Sequence, residues 1–175
     1  MYVGRLRALP IEMMLMKQAK AYMSLVYSEK PELWKTDLCP IGKVREWTES
    51  GEERPLPAWL NKEEHTIHTS ILLKKGFTGP LNWYKQSIAG VTTKHEGELS
   101  DEVKTITVPV FYIGAQKDYV GLEAQARAST QQWSKGGFET TSIDAGHWVY
   151  IEKRKEYDEA LKGWLEKTYS SGSKI

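Results

Sequence analysis

The nine residues from Ile106 to Gly114, ITVPVFYIG, form a nearly continuous apolar run rich in β-branched and aromatic side chains. Such a run reads as a strand buried on both faces. The next 55 or so residues narrow the topology. Residues 121–134 suit a helix, with Leu122, Ala126 and Trp133 on one side, and Phe138 to Ile143 reads as a second short strand. The stripe Tyr157, Leu161, Trp164, Leu165 marks a closing helix. Strand, helix, strand, helix in that order predicts a right-handed crossover and a parallel pair. The expected fold class is α/β, with the two strands paired in parallel.

The chain ahead of this unit reads as helical and irregular. Ile11, Met14, Leu15, Tyr22, Leu25 and Val26 recur at helical spacing and predict one amphipathic helix up to about Tyr27. From Pro31 to Trp59, Pro40, Pro55 and Pro57 block any long element. A second helix has clear ends: Asn61 as N-cap, Glu64 three residues on, and Gly76 as the stop after Leu72, Leu73, Lys74 and Lys75. Lys94 to Asp101 reads as a charged loop. The division expected is a helical region over 1–100, an α/β segment over 101–168 and a flexible tail over 169–175.

Charge excludes several partner classes. Lys+Arg 24 against Asp+Glu 23 leaves a net charge of +1, so nothing favours nucleic acid or an acidic surface. The longest apolar run falls far short of the roughly 20 residues a membrane-spanning helix needs. Arg5 and Arg7 precede a Met-rich stretch that Glu12 and Lys17 interrupt, which argues against a signal peptide. The single cysteine, Cys39, fits a reducing, cytoplasmic setting and reads as a structural thiol. The ending Ser173-Lys174-Ile175 resembles a peroxisomal address with Ile in the last place, against which stands an ordinary solvated tail.

In open parallel sheets, catalytic groups gather at the carboxyl ends of the strands. Asp118 lies just past the first predicted strand, in Gly114-Ala115-Gln116-Lys117-Asp118. His147 lies just past the second, in Asp144-Ala145-Gly146-His147-Trp148. A carboxylate there would accept the imidazole Nδ1 proton, fix the tautomer and stabilise an imidazolium. The alternative is a turn aspartate and an ordinary loop histidine. His65 and His68 are three apart and could share a face as metal ligands, but no third ligand is evident, and an exposed helix face is the better reading.

The stretch Gly76-Phe77-Thr78-Gly79-Pro80-Leu81-Asn82-Trp83-Tyr84 resembles the end of the helical cap of epoxide hydrolases of the α/β-hydrolase fold. Ile106 through Asp118 to Asp144-Ala145-Gly146-His147-Trp148 is similar to the acid and base segments of that family, the likeness covering roughly residues 30 to 168. The fold so implied is the C-terminal portion of an α/β hydrolase with a helical cap and an incomplete parallel sheet. The chemistry so implied has two steps and needs no cofactor. An aspartate attacks a carbon of a small apolar epoxide and forms an alkyl-enzyme ester, and activated water then cleaves it. By this resemblance Tyr84 polarises the epoxide oxygen, His147 activates water and Asp118 orients His147. Trp83 and Trp148 either wall an apolar pocket or pack as core. Haloalkane dehalogenases share the acid and base, but Asn82-Trp83-Tyr84 favours the epoxide reading.

The nucleophile of that family sits in a strand–turn–helix elbow with glycine two positions either side. No Asp (37, 101, 118, 144, 158) and no Ser in this chain has Gly at both places. No histidine is followed by glycine, so the His-Gly oxyanion signature is absent too. Tyr22 or Tyr27 could stand in for a second cap tyrosine, although nothing around either matches. The expectation is therefore a cap plus the C-terminal part of the fold, with the nucleophile half missing. Two strands leave both sheet edges open. The isolated chain is expected to be marginally folded, self-associating or complemented by a partner, and a non-catalytic role through protein interaction is the rival reading.

Overall fold

The computed structural model describes residues 10–169, so the arginines at 5 and 7 and the Ser173-Lys174-Ile175 ending lie outside the described residues. The chain divides into two compact units. One runs through Val91 without Lys30–Glu32, and the other joins Lys30–Glu32 to the chain from Thr92 onward.

The first unit is helical among its described residues. Helices α1 (Ile11–Lys17) and α2 (Ala19–Val26) replace the single predicted helix, because Gln18 leaves the helical region at φ −121 and ψ 37. Gln18 N still donates to Met14 O, and Tyr22 N to Gln18 O, so the apolar spacing reads straight through the kink. A π-helical turn (Trp34–Leu38) and helix α3 (Lys43–Ser50) occupy the first part of the proline-rich stretch, and the part with Pro55 and Pro57 is irregular. The prolines limit that stretch to short elements without forbidding them. Two indoles anchor it to α2: Trp34 Nε1 donates to Leu25 O at 3.0 Å, and Trp47 Nε1 to Ala21 O at 2.9 Å. Helix α4 (Lys62–Lys75) has the predicted ends, with Asn61 Oδ1 accepting from Glu64 N at 2.8 Å. Helix α5 (Thr78–Ile88) comes next. Met14, Leu15 and Phe77 form a buried cluster, with Ile11, Tyr22, Leu72 and Leu81 packed against it.

The second unit is α/β. Helices α6 (Val91–Gly97) and α7 (Asp101–Lys104) occupy most of the stretch predicted as a charged loop. The charges there line the solvated faces of short surface helices, a pattern that polarity alone does not separate from a loop. Strand β1 is Val110–Ala115 rather than Ile106–Gly114. Pro109 has no N–H for the ladder, and Ile106 forms only an isolated parallel bridge to Ser134. Helix α8 (Glu123–Trp133) leads to strand β2 (Phe138–Ile143), which pairs with β1 in parallel from Val110↔Phe138 to Ala115↔Ile143. Helices α9 (Val149–Glu152) and α10 (Arg154–Tyr169) close the unit.

The expectation of a strand buried on both faces fails for most of β1. Val110 to Ile113 are half-buried and only Gly114 and Ala115 are buried. One strand alone flanks β1 among the described residues. Trp164 of α10 stacks on Phe111, with ring centroids 5.4 Å apart and planes 12° from parallel, and so covers part of one face.

Candidate active site

The ladder between β1 and β2 does not stop where the strands do. Gln116 N donates to Ile143 O at 3.0 Å, and Lys117 N donates to Ala145 O at 2.9 Å. These bonds lace the two C-terminal loops together, one residue from Asp118 on one side and two from His147 on the other. The Lys117 ammonium also meets the Asp144 carboxylate at 2.7 Å. That pairing raises the Lys117 pKa and lowers that of Asp144.

His147 Nδ1 lies 2.8 Å from Asp118 Oδ2. The other carboxylate oxygen, Oδ1, accepts from Val120 N and Gly121 N, both at 2.9 Å, in a tight Asx turn. Asp118 is therefore held by its own loop before the histidine reaches it. Burial pushes its carboxyl pKa up. The His147 hydrogen bond, the Gly121 and Val120 amides and the imidazole charge outweigh that effect and hold it below its ordinary value. An ionised carboxylate only accepts hydrogen bonds, so the shared proton sits on Nδ1, the tautomer that directs Nε2 to the role of base.

Trp148 is next to His147 in the chain, its ring edge-on to the imidazole with centroids 5.0 Å apart, and it is half-buried. Gly146 and Ala145 are buried, Ala145 completely. Gly146 N donates to Glu152 Oε2 at 2.8 Å. Glu152 escaped sequence reasoning, since an acid five residues past a histidine carries no signal of its own.

Tyr84 and Trp83 lie on α5 in the helical unit and are 63% and 69% exposed, so packing as core does not describe Trp83. Tyr22 is half-buried and edge-on to Phe77. Burial, with a smaller contribution from the charge of Tyr84, raises the Tyr22 phenol pKa above its ordinary value. Tyr27 is engaged elsewhere, its hydroxyl 2.7 Å from His68 Nδ1. His65 is lowered by burial and then by its neighbour His68. No group of three or more metal-ligating side chains occurs among the described residues. Cys39 is exposed, so it does not contribute to a buried core. No helix among the described residues is long and apolar enough to cross a membrane.

A parallel pair with an acid on the loop after one strand and a histidine on the loop after the next, in a chain that also carries a helical unit, is the arrangement expected of part of an α/β-hydrolase fold. Comparison with known proteins agrees. The chain is 30% identical over 119 residues to bifunctional epoxide hydrolase 2 of Mus musculus, covering 66% of this chain and 20% of that one. It is 33% identical over 115 residues to epoxide hydrolase A of Mycobacterium tuberculosis (strain ATCC 25618 / H37Rv), covering 65% and 34%. The crystal structure of epoxide hydrolase A from Mycobacterium thermoresistibile superposes with a TM-score of 0.66 at 25% identity, covering 89% of this chain and 48% of that one. No protein-family model matches. In sequence and in fold the chain is thus similar to the epoxide hydrolases of the α/β-hydrolase superfamily. It spans about a fifth to a third of the length of these curated relatives and about half of the solved one.

Proposed function

We propose that this chain supplies the water-activating half of an epoxide hydrolase site, and that the residue attacking the epoxide comes from outside its 175 residues. The observation that carries this reading is the Asp118–His147 pair at 2.8 Å on two backbone-laced loops. In the first step a carboxylate attacks an epoxide carbon, the C–O bond breaks, and the alkoxide takes a proton from the phenol of Tyr84. In the second, His147 Nε2 takes a proton from water and the hydroxide attacks the ester carbonyl. As the intermediate collapses, the leaving alkoxide takes the proton held by His147 and the carboxylic acid so formed returns a proton to the Tyr84 phenolate, so the diol leaves with the carboxylate, the phenol and the imidazole all regenerated. Asp118 stabilises the imidazolium formed on the way. The helical unit serves as the cap, Trp83 and Trp148 contribute apolar wall, and the substrate is a small apolar epoxide.

An activated aryl ester bypasses the missing first step, because it presents the bond that His147 is assigned to hydrolyse. The purified chain is expected to form no diol from an aryl epoxide but to hydrolyse such an ester, with a loss of about a hundredfold in His147→Gln. Equal ester hydrolysis by chain and variant overturns the role given to His147. Diol formation by the chain alone overturns the need for an outside nucleophile.

A reading through protein interaction is favoured by one observation, the side of β1 that no strand among the described residues covers. Val110 N donates to Gly137 O, so the alternation of a parallel ladder turns the backbone groups of Phe111 and Ile113 away from β2. Val108, just ahead, is 61% exposed. We propose that a second copy pairs along this edge. Sedimentation at rising concentration should give a mass above that of one chain, reduced by Val108→Lys, since edge lysines discourage strand pairing. A single-chain mass throughout would refute it.

A further inference from the structure

We propose that Glu152 is a positioning residue for His147, setting through Gly146 the orientation in which the imidazole meets Asp118. The loop that presents His147 is anchored residue by residue as it leaves β2. Asp144 meets Lys117, and the Ala145 carbonyl accepts from Lys117 N. Gly146 N then donates to Glu152 Oε2 at 2.8 Å. Among these anchors, that at Gly146 stands next to the histidine in sequence.

Glu152 is itself held by the loop it grips. Trp148 opens α9, and Glu152 N donates to Trp148 O at 2.9 Å. Backbone and side chain thus close a ring from Gly146 to Glu152, with His147 inside it. The approach is close: a Cβ on residue 146 would lie 3.0 Å from Glu152 Oε2 and 3.0 Å from Pro31 Cγ. A side chain there would oblige the carboxylate and the proline ring to give way by a few tenths of an ångström. A hydrogen bond to a carboxylate is also stronger than one to a neutral acceptor, which suits an anchor on a short loop.

This inference deepens the hydrolase reading and takes His147's role from it. Its test reads geometry instead of turnover, so the two can fail separately. The probe is the downfield imidazole Nδ1 proton of the full chain, assigned by its disappearance in His147→Gln and tracked by its exchange with solvent. Glu152→Ala is expected to speed that exchange by about tenfold or more. Glu152→Gln, which keeps an acceptor at the same reach, restores most of the protection. Glu152→Asp, which keeps the charge but is one methylene shorter, does not. Should Glu152→Ala fail to fold, the Gln and Asp variants carry the test between them. Unchanged exchange in Glu152→Ala, or equal exchange in the Gln and Asp variants, overturns the proposal even if the melting temperature falls.

Discussion

Asp118→Asn is expected to reduce His147-dependent ester hydrolysis by about a hundredfold or more, close to the loss from removing the histidine itself. The amide is nearly isosteric, so the Asx turn to Val120 and Gly121 can persist through its carbonyl oxygen. What the variant loses is the negative charge 2.8 Å from Nδ1. An amide NH2 turned toward His147 would favour the tautomer with its lone pair on Nδ1, the wrong nitrogen for the assigned role. Hydrolysis at the level of the unaltered chain would mean that Asp118 is only a turn residue.

The same variant tests the acid side of stability. The folded carboxyl has a pKa below its ordinary value, so its contribution is present above about pH 4 and is lost as pH falls through the lowered value. Denaturant midpoints should therefore drop less between pH 7 and acid for Asp118→Asn than for the unaltered chain. Parallel midpoints across that range would contradict the charge-based account of the pair.

Gly136→Ala should produce the largest loss of stability among single-methyl changes. A Cβ there would lie 2.1 Å from Thr107 O, 2.3 Å from Thr107 C and 2.6 Å from Val108 C. All three are backbone atoms and none can swing aside. Lys135 N and Gly136 N both donate to Ile106 O, and Ile106 N donates to Trp133 O, so relief means breaking the bridge that leads into both strands. The cost is about 3 kcal/mol or more, lowering the melting temperature by at least about 10 °C. Gly163→Ala is the control. Gly163 lies within α10 with nothing near its absent Cβ, and the change should stabilise by about 0.5–1 kcal/mol. An unchanged melting temperature for Gly136→Ala would show that the two segments do not approach as described.

Some features were legible because their causes are local. Asn61, Glu64 and Gly76 bound α4 as expected, since capping is a matter of three or four neighbouring residues. Phe138–Ile143 is a strand with the predicted bounds, and the pairing with β1 is parallel as the element order required. Other features were illegible for reasons that are equally physical. The kink at Gln18 leaves the hydrogen bonds on both sides intact, so no break shows in the apolar spacing. The charged residues of α6 sit on an exposed helix whose sequence differs little from a polar loop. The apolar content of β1 suggested full burial, but burial depends on which neighbours are present.

The candidate site divides along the same line. Asp118 and His147 could be named from sequence because each comes just after a recognisable strand, and strand ends are where parallel sheets present chemistry. Sequence alone left open an ordinary turn aspartate and loop histidine. The three-dimensional structure decided that they meet, through bonds between segments about 30 residues apart: Lys117 N to Ala145 O, and His147 to Asp118. It also decided the grip of Glu152 on Gly146, which depends on the close approach of a helix end to a loop. Local propensity is written in neighbouring residues, whereas the separation of two atoms on different loops is set only once the strands beneath them have paired.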